Sequence, residues 1–144
     1  MPQTIVPMLA YEDAAGAIAW LKEAFGFIED EAARFTDDDG TVTHAELDVG
    51  DSSVVFLATP TPDYQSPKHH RQQCEPAAKW SQVPWVIDGL MVQVPDVDAH
   101  HERARAAGAE VLRGPESNAD IGVRLYTAED VEGHRWMFTQ PLSG

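Results

Sequence analysis

The chain has 144 residues, 43% of them hydrophobic and 24% charged, which is enough for one soluble globular domain with a core of its own. A formal net charge of −14 argues against nucleic acid and anionic membrane surfaces, both of which draw on clustered lysine and arginine. Such a charge favours a cationic ligand through its long-range field, although its ordinary use is solubility.

The N-terminal stretch TIVPMLAY alternates as a strand, with Val6 and Met8 on one face. No basic region precedes an apolar core, so no signal peptide is expected, and no apolar run approaches membrane-spanning length. EDAAGAIAWLKEAFGF follows, with Ala14, Ile18, Leu21 and Phe25 at helical spacing. Gly26 is placed to end that helix in the left-handed conformation. Then come IEDEAARF, an Asp-Gly turn in TDDDGT, and two further strands, VTHAELDV and SVVFLA. His44 and Glu46 lie two apart on one strand and share a face, as do Val54 and Phe56. A histidine beside a carboxylate can act as a general base, and His44 and Glu46 are the candidate catalytic pair. They are equally consistent with a hydrogen-bonded surface pair, and two ligands are too few for a catalytic metal.

The segment from Thr59 to Asp88 is longer than the roughly 12–15 residues of a plain connector. It carries Tyr64, Trp80 and Trp85 together with Lys68, His69, His70 and Arg71, the densest basic cluster in the chain. It reads as a lid with Trp80 or Trp85 stacking on a flat ligand, as an arm onto a second subunit, or as a mobile loop. Cys74 is the single cysteine, which excludes an internal disulfide and a cysteine-based zinc site and suits a reducing cytoplasm. Its irregular spacing from His69 and His70 makes a weak metal motif.

The second half repeats the first. LMVQVPDVDAHHERARAAGAEVL is again strand, acidic cap, helix and stopping glycine, and nearly the same offset separates Asp13 from Asp96 and Gly26 from Gly108. AEVLR, GVRLYTA and HRWMFTQ follow as strands. Each half therefore reads β-α-β-β-β. The expected fold is α+β, with two tandem βαβββ modules forming curled mixed sheets around a cleft. Module one spans about residues 1–59, the connector about 60–88 and module two about 89–144. By alternation the cleft faces carry Met8 and Phe56 in module one, and Met91, Gln93, Arg124, Tyr126, Arg135 and Met137 in module two. Methionines there form an adaptable apolar pocket or merely plug the space. Arg124 and Arg135 orient a ligand oxygen or pair with Glu46 and Asp130. His134 reads as structural, bonded to the Glu129–Glu132 loop; His101 reads as core-facing and His100 as exposed.

The paired modules, DVDA…RAAGAEV and above all EDVEGHRWMF resemble the vicinal oxygen chelate superfamily of glyoxalase I, bleomycin-resistance proteins and extradiol dioxygenases. The ending is similar to that of its PhnB-like members, with Val131 in place of a proline. That resemblance implies metal ligands on the first and last strand of each module. The usual histidine positions hold Val6 and Gly89, the usual final glutamate holds Met137, and its first-module counterpart falls near Phe56. No metal or cofactor is therefore expected. The leading expectation is a metal-free protein that binds or sequesters a small molecule, cationic or aromatic, as cytoplasmic homodimer. Its pocket would be formed by Met8, Phe56, Met91, Gln93, Arg124, Tyr126, Arg135 and Met137, with Trp80 and Trp85 from the connector. The alternatives are a glyoxalase- or dioxygenase-like lyase or oxidoreductase using His44 and Glu46 or a relocated metal, and an interaction module whose cavity is packed core.

Overall fold

The computed structural model describes residues 3–84 and 88–143. The first module contains β1 (Met8–Ala10), helix α1 (Ala14–Phe25), β2 (Ile28–Glu29), β3 (Phe35–Thr36), β4 (Val42–Gly50) and β5 (Ser53–Ala58). Its strands run in the order β1-β5-β4-β2, with β3 also pairing β4. The connector holds α2 (Pro67–Gln73) and α3 (Glu75–Trp80). The second module contains β6 (Leu90–Gln93), α4 (Val97–Ala106), β7 (Glu110–Asn118), β8 (Val123–Glu129) and β9 (Arg135–Pro141), ordered β6-β9-β8-β7. In both sheets the first strand lies parallel to the last, β1 on β5 and β6 on β9. The repeat seen in the sequence is thus a repeat of topology.

The same local chemistry sets both helices. Asp13 caps α1 by accepting from the Gly16 amide at 3.0 Å, and Asp96 caps α4 by accepting from the Ala99 amide at 3.1 Å. Gly26 ends α1 at φ +73°, where a side chain would be strained. One apolar cluster joins the two sheets through the helices. Phe25 meets Phe138 edge-on at 4.7 Å, and Phe27 meets Trp136 at 5.2 Å. Arg103 on α4 donates from Nε to the Glu23 carbonyl at 2.8 Å, which also satisfies the C-terminal end of α1.

His100, expected to be exposed, turns inward, and His101 is also largely covered, with its ring 5.3 Å from that of Tyr126. His100 lies 3.0 Å through Nε2 from the Phe25 carbonyl and 2.5 Å through Nδ1 from the Tyr126 hydroxyl, with its ring 4.1 Å from that of Phe138. Burial holds its pKa below the ordinary value.

The ending EDVEGHRWMF clasps the two modules together. Asp130 is buried, and its Oδ2 accepts from the Tyr11 hydroxyl at 2.5 Å and Trp136 Nε1 at 3.0 Å. Its Oδ1 accepts from the amides of Glu132 and His134, each at 3.0 Å. Glu132 in turn accepts from the amides of Glu12 at 2.6 Å and Asp13 at 2.9 Å, at the start of α1. His134 Nε2 donates to the Ala10 carbonyl at 2.7 Å. The imidazole bonds β1 and not the Glu129–Glu132 loop expected of it, which the His134 amide holds instead. Burial, with Asp130 adding to it, pushes the Tyr11 hydroxyl pKa up.

The connector packs as two short helices. Ser66 accepts from the His69 amide at 3.3 Å to cap α2, while Glu12 accepts from the Ser66 amide at 3.0 Å. The Lys68 amide donates to the Glu132 carbonyl at 3.1 Å. Gly133, at φ +98°, permits that approach, because a Cβ there would stand 2.8 Å from the Lys68 nitrogen.

Candidate ligand-binding site

Each sheet turns one face to the helices and the other away from them. On the free faces the repeat places equivalent cross-strand neighbours, Met8 beside Phe56 and Met91 beside Met137. Met8 is 80% exposed and Met91 60%, so these side chains do not plug a sealed space.

A cavity of about 370 Å³ opens on the second sheet. Its apolar lining includes Met91, Met137, Leu125, Ile121 and Pro84, and its size falls in the range of small-molecule sites. Thr127, Arg113 and Arg135 supply the polar atoms. Arg135 is already engaged: its Nε donates to Glu129 at 2.9 Å and its Nη1 to the Val83 carbonyl at 2.9 Å. Arg71, from α2, forks onto the same carboxylate, with Nη2 2.7 Å from Oε1 and Nη1 on Oε2. Burial opposes ionisation of Glu129, but the two guanidiniums outweigh it and hold its pKa below the ordinary range. This ionic triad fastens the connector to the cavity end of the sheet, and Pro84 then contributes a wall. Arg113 is paired with Glu116 at 2.8 Å.

Several expected pocket residues lie elsewhere. Tyr126 and Arg124 face the helices, because Tyr126 stands opposite Phe138 in the β8–β9 ladder and residues directly opposite share a face. The Tyr126 hydroxyl meets His100, and burial raises its pKa. Arg124 forks onto Asp98 at the start of α4, with both bonds 2.8 Å. Leu125 and Thr127 take their places on the cavity side. Gln93 borders a separate hollow between the β4–β5 hairpin and β6. Trp80 lines a groove within the connector beside His70, away from the main cavity. Trp85 lies outside the described residues.

On the first sheet, Met8 and Phe56 line a second hollow of about 210 Å³ together with His44. His44 Nε2 lies 2.8 Å from Glu46 Oε2, and its ring meets Phe56 at 4.8 Å, nearly edge-on at 66°. Among the described residues the two hollows share no lining side chain.

A divalent ion does not fit the side chains at the positions where the resemblance puts metal ligands. Val6, Gly89 and Phe56 offer no donor atom, and the Met137 thioether is a poor partner for a hard cation. Among the described residues no three His, Cys, Asp or Glu side chains converge on one point. No helix among them is long and apolar enough to cross a membrane.

Paired βαβββ sheets with cavities on the faces away from the helices define a glyoxalase-like architecture. The model of the glyoxalase/bleomycin resistance protein/dioxygenase superfamily matches residues 4–138, and the chain belongs to that superfamily. Among solved structures, TioX from Micromonospora sp. ML1 is 28% identical, with 99% of this chain and 98% of that one covered and a TM-score of 0.66. TnmS3, an antibiotic binding protein from Streptomyces sp. CB03234, is 20% identical over 98% of both chains, with a TM-score of 0.63. FosX, a fosfomycin resistance protein from Listeria monocytogenes, is 12% identical over 97% of this chain and 93% of that one, also with a TM-score of 0.63. No curated protein matches the sequence.

Proposed function

We propose that the protein binds and sequesters an apolar, aromatic small molecule in the cavity of the second sheet, without a metal, as a cytoplasmic homodimer. The lining of that cavity carries the proposal. Met91, Leu125 and Met137 present an adaptable apolar wall, no carboxylate lines it among the described residues, and the two arginines among them are paired. A cation would be drawn only by the net charge of −14, so the lining favours a neutral ligand over the cationic one. TnmS3, as an antibiotic binding protein, lends the fold a precedent. The exposed thioether of Met91 is apolar surface a second copy would cover, and the free thiol of Cys74 suits a reducing compartment.

Calorimetric titration with neutral anthraquinones and with a cationic acridinium tests this assignment. Saturable binding of the neutral ring system is expected, unchanged by EDTA and weaker for the cation. Met137→Glu, which puts a carboxylate into the apolar lining, should lower the affinity at least about tenfold. Preference for the cation, or loss of binding in EDTA, would refute it.

A further inference from the structure

The hollow on the first sheet has a chemistry that the second lacks. We propose that His44 and Glu46 form a hydrogen-bonding receptor for the acidic hydroxyl of a single-ring aromatic ligand, a phenol in chemical class. The inference does not rest on the ligand proposed for the second sheet.

The contact between His44 Nε2 and Glu46 Oε2, 2.8 Å long, requires a proton, and an ionised carboxylate has none to give. In the neutral imidazole with its proton on Nε2, Nδ1 keeps its lone pair and is the acceptor. Among the described residues no side chain or backbone group bonds Nδ1 or Glu46 Oε1. The pair is partly exposed, with 34% of the His44 side chain and 30% of the Glu46 side chain open to solvent. It thus presents an oriented acceptor to solvent with no internal donor to consume it. Thr43, the neighbouring hydroxyl, donates to the Phe35 carbonyl at 3.2 Å and is not held by the imidazole.

The walls specify the rest of the ligand. Phe56 stands edge-on to His44 and the exposed Met8 thioether lies across the ladder from Phe56, while exposed Phe35 flanks His44 from β3 with its ring 6.1 Å away. Thioether and aromatic edges are favourable neighbours for a π-face. The volume of about 210 Å³ corresponds to about seven waters of liquid, which suits one substituted ring better than a fused system. Glu46 beside the acceptor disfavours a carboxylate ligand, while an O–H donor meets the Nδ1 lone pair directly.

Absorption titration with 4-nitrophenol tests this proposal, because its spectrum reports the state of its oxygen. A saturable shift towards the phenolate spectrum is expected, with the phenol proton passing to Nδ1 so that the imidazolium formed lies between the phenolate oxygen and the Glu46 carboxylate. His44→Ala should abolish the shift, and Glu46→Gln should weaken binding about tenfold. Met137→Glu, in the other cavity, should leave the titration unchanged whether or not the second sheet binds its own ligand. 4-Nitroanisole has no O–H and should bind at least about tenfold more weakly. Where His44→Ala lowers the melting temperature, His44→Gln keeps the size of the side chain and should lose the shift equally. Equal affinity for the anisole, a shift that survives both His44 variants, or no saturable binding to the parent protein would overturn the proposal.

Discussion

Replacing Glu129 by glutamine separates the connector's anchor from the packing around it. The Glu129 side chain is fully buried, Arg135 is 3% exposed and Arg71 20% exposed, so the amide would leave two guanidiniums with little water and no counter-charge. Breaking a buried ion pair from one side costs about 3–5 kcal/mol. Arg71→Met should cost less, about 1.5–3 kcal/mol, because Arg135 still neutralises Glu129 and the lost group is partly solvated. Urea unfolding at neutral pH gives both values. Hydrogen exchange should show the amides of α2 and α3 released in Arg71→Met while β4 and β5 stay protected. The pH dependence supplies an internal check. The folded-state pKa of Glu129 lies below the ordinary 4.5, so its stabilisation is complete above that value and is lost as pH falls through the depressed one. The stability gap between the parent protein and Glu129→Gln should therefore narrow below about pH 4. Equal costs for the two variants, with connector exchange unchanged, would refute the anchoring role.

Tyr11→Phe removes the hydroxyl 2.5 Å from Asp130 and should destabilise by about 1–3 kcal/mol in the same urea assay, since the carboxylate stays buried. Gly133→Ala imposes a side chain at φ +98° and a Cβ 2.8 Å from the Lys68 nitrogen. It should cost at least about 1–3 kcal/mol and speed exchange in α2, whereas substitution at Gly40, which meets nothing within 4 Å, should leave α2 exchange untouched. His100 has a folded-state pKa below its ordinary 6.5, so below that value the unfolded chain takes up a proton that the folded one resists. Stability should fall as pH drops through that region, and His100→Gln should flatten the slope. An unchanged slope in the variant would rule out a buried neutral imidazole as its source.

The elements legible in the sequence are those whose cause is local. Asp13 and Asp96 cap helices because a short carboxylate bonds the amide three residues on, and Gly26 stops one because it lacks a Cβ. The equivalence of Met8 with Met91 followed from the repeat and holds in the ladders. The facing of β8 was not legible. Both of its faces are covered, so Arg124 and Tyr126 could be read towards the cavity until pairing set Tyr126 against Phe138. The lining by Leu125 and Thr127 was missed for the same reason. An acidic residue at the start of α4, Asp98, and the polar tip of Tyr126 were the available signals. The Arg71–Glu129 contact joins residues 58 apart, and no local pattern announces it. His100 was expected to be exposed, yet both it and His101 are largely covered, because neighbours on a helix differ by only about 100° and one covered face can take both.

The clasp between Tyr11 and Asp130 spans a sequence separation of 119 residues. On a ribosome the opening strand therefore emerges long before the carboxylate that accepts from its tyrosine, and the start of α1 waits equally for the two oxygens of Glu132. Closing so large a loop is entropically slow, which makes late, post-synthetic completion of the N-terminal half the expected order of events. A fragment truncated ahead of residue 130 should accordingly be aggregation-prone, and supplying the missing half in trans should rescue it.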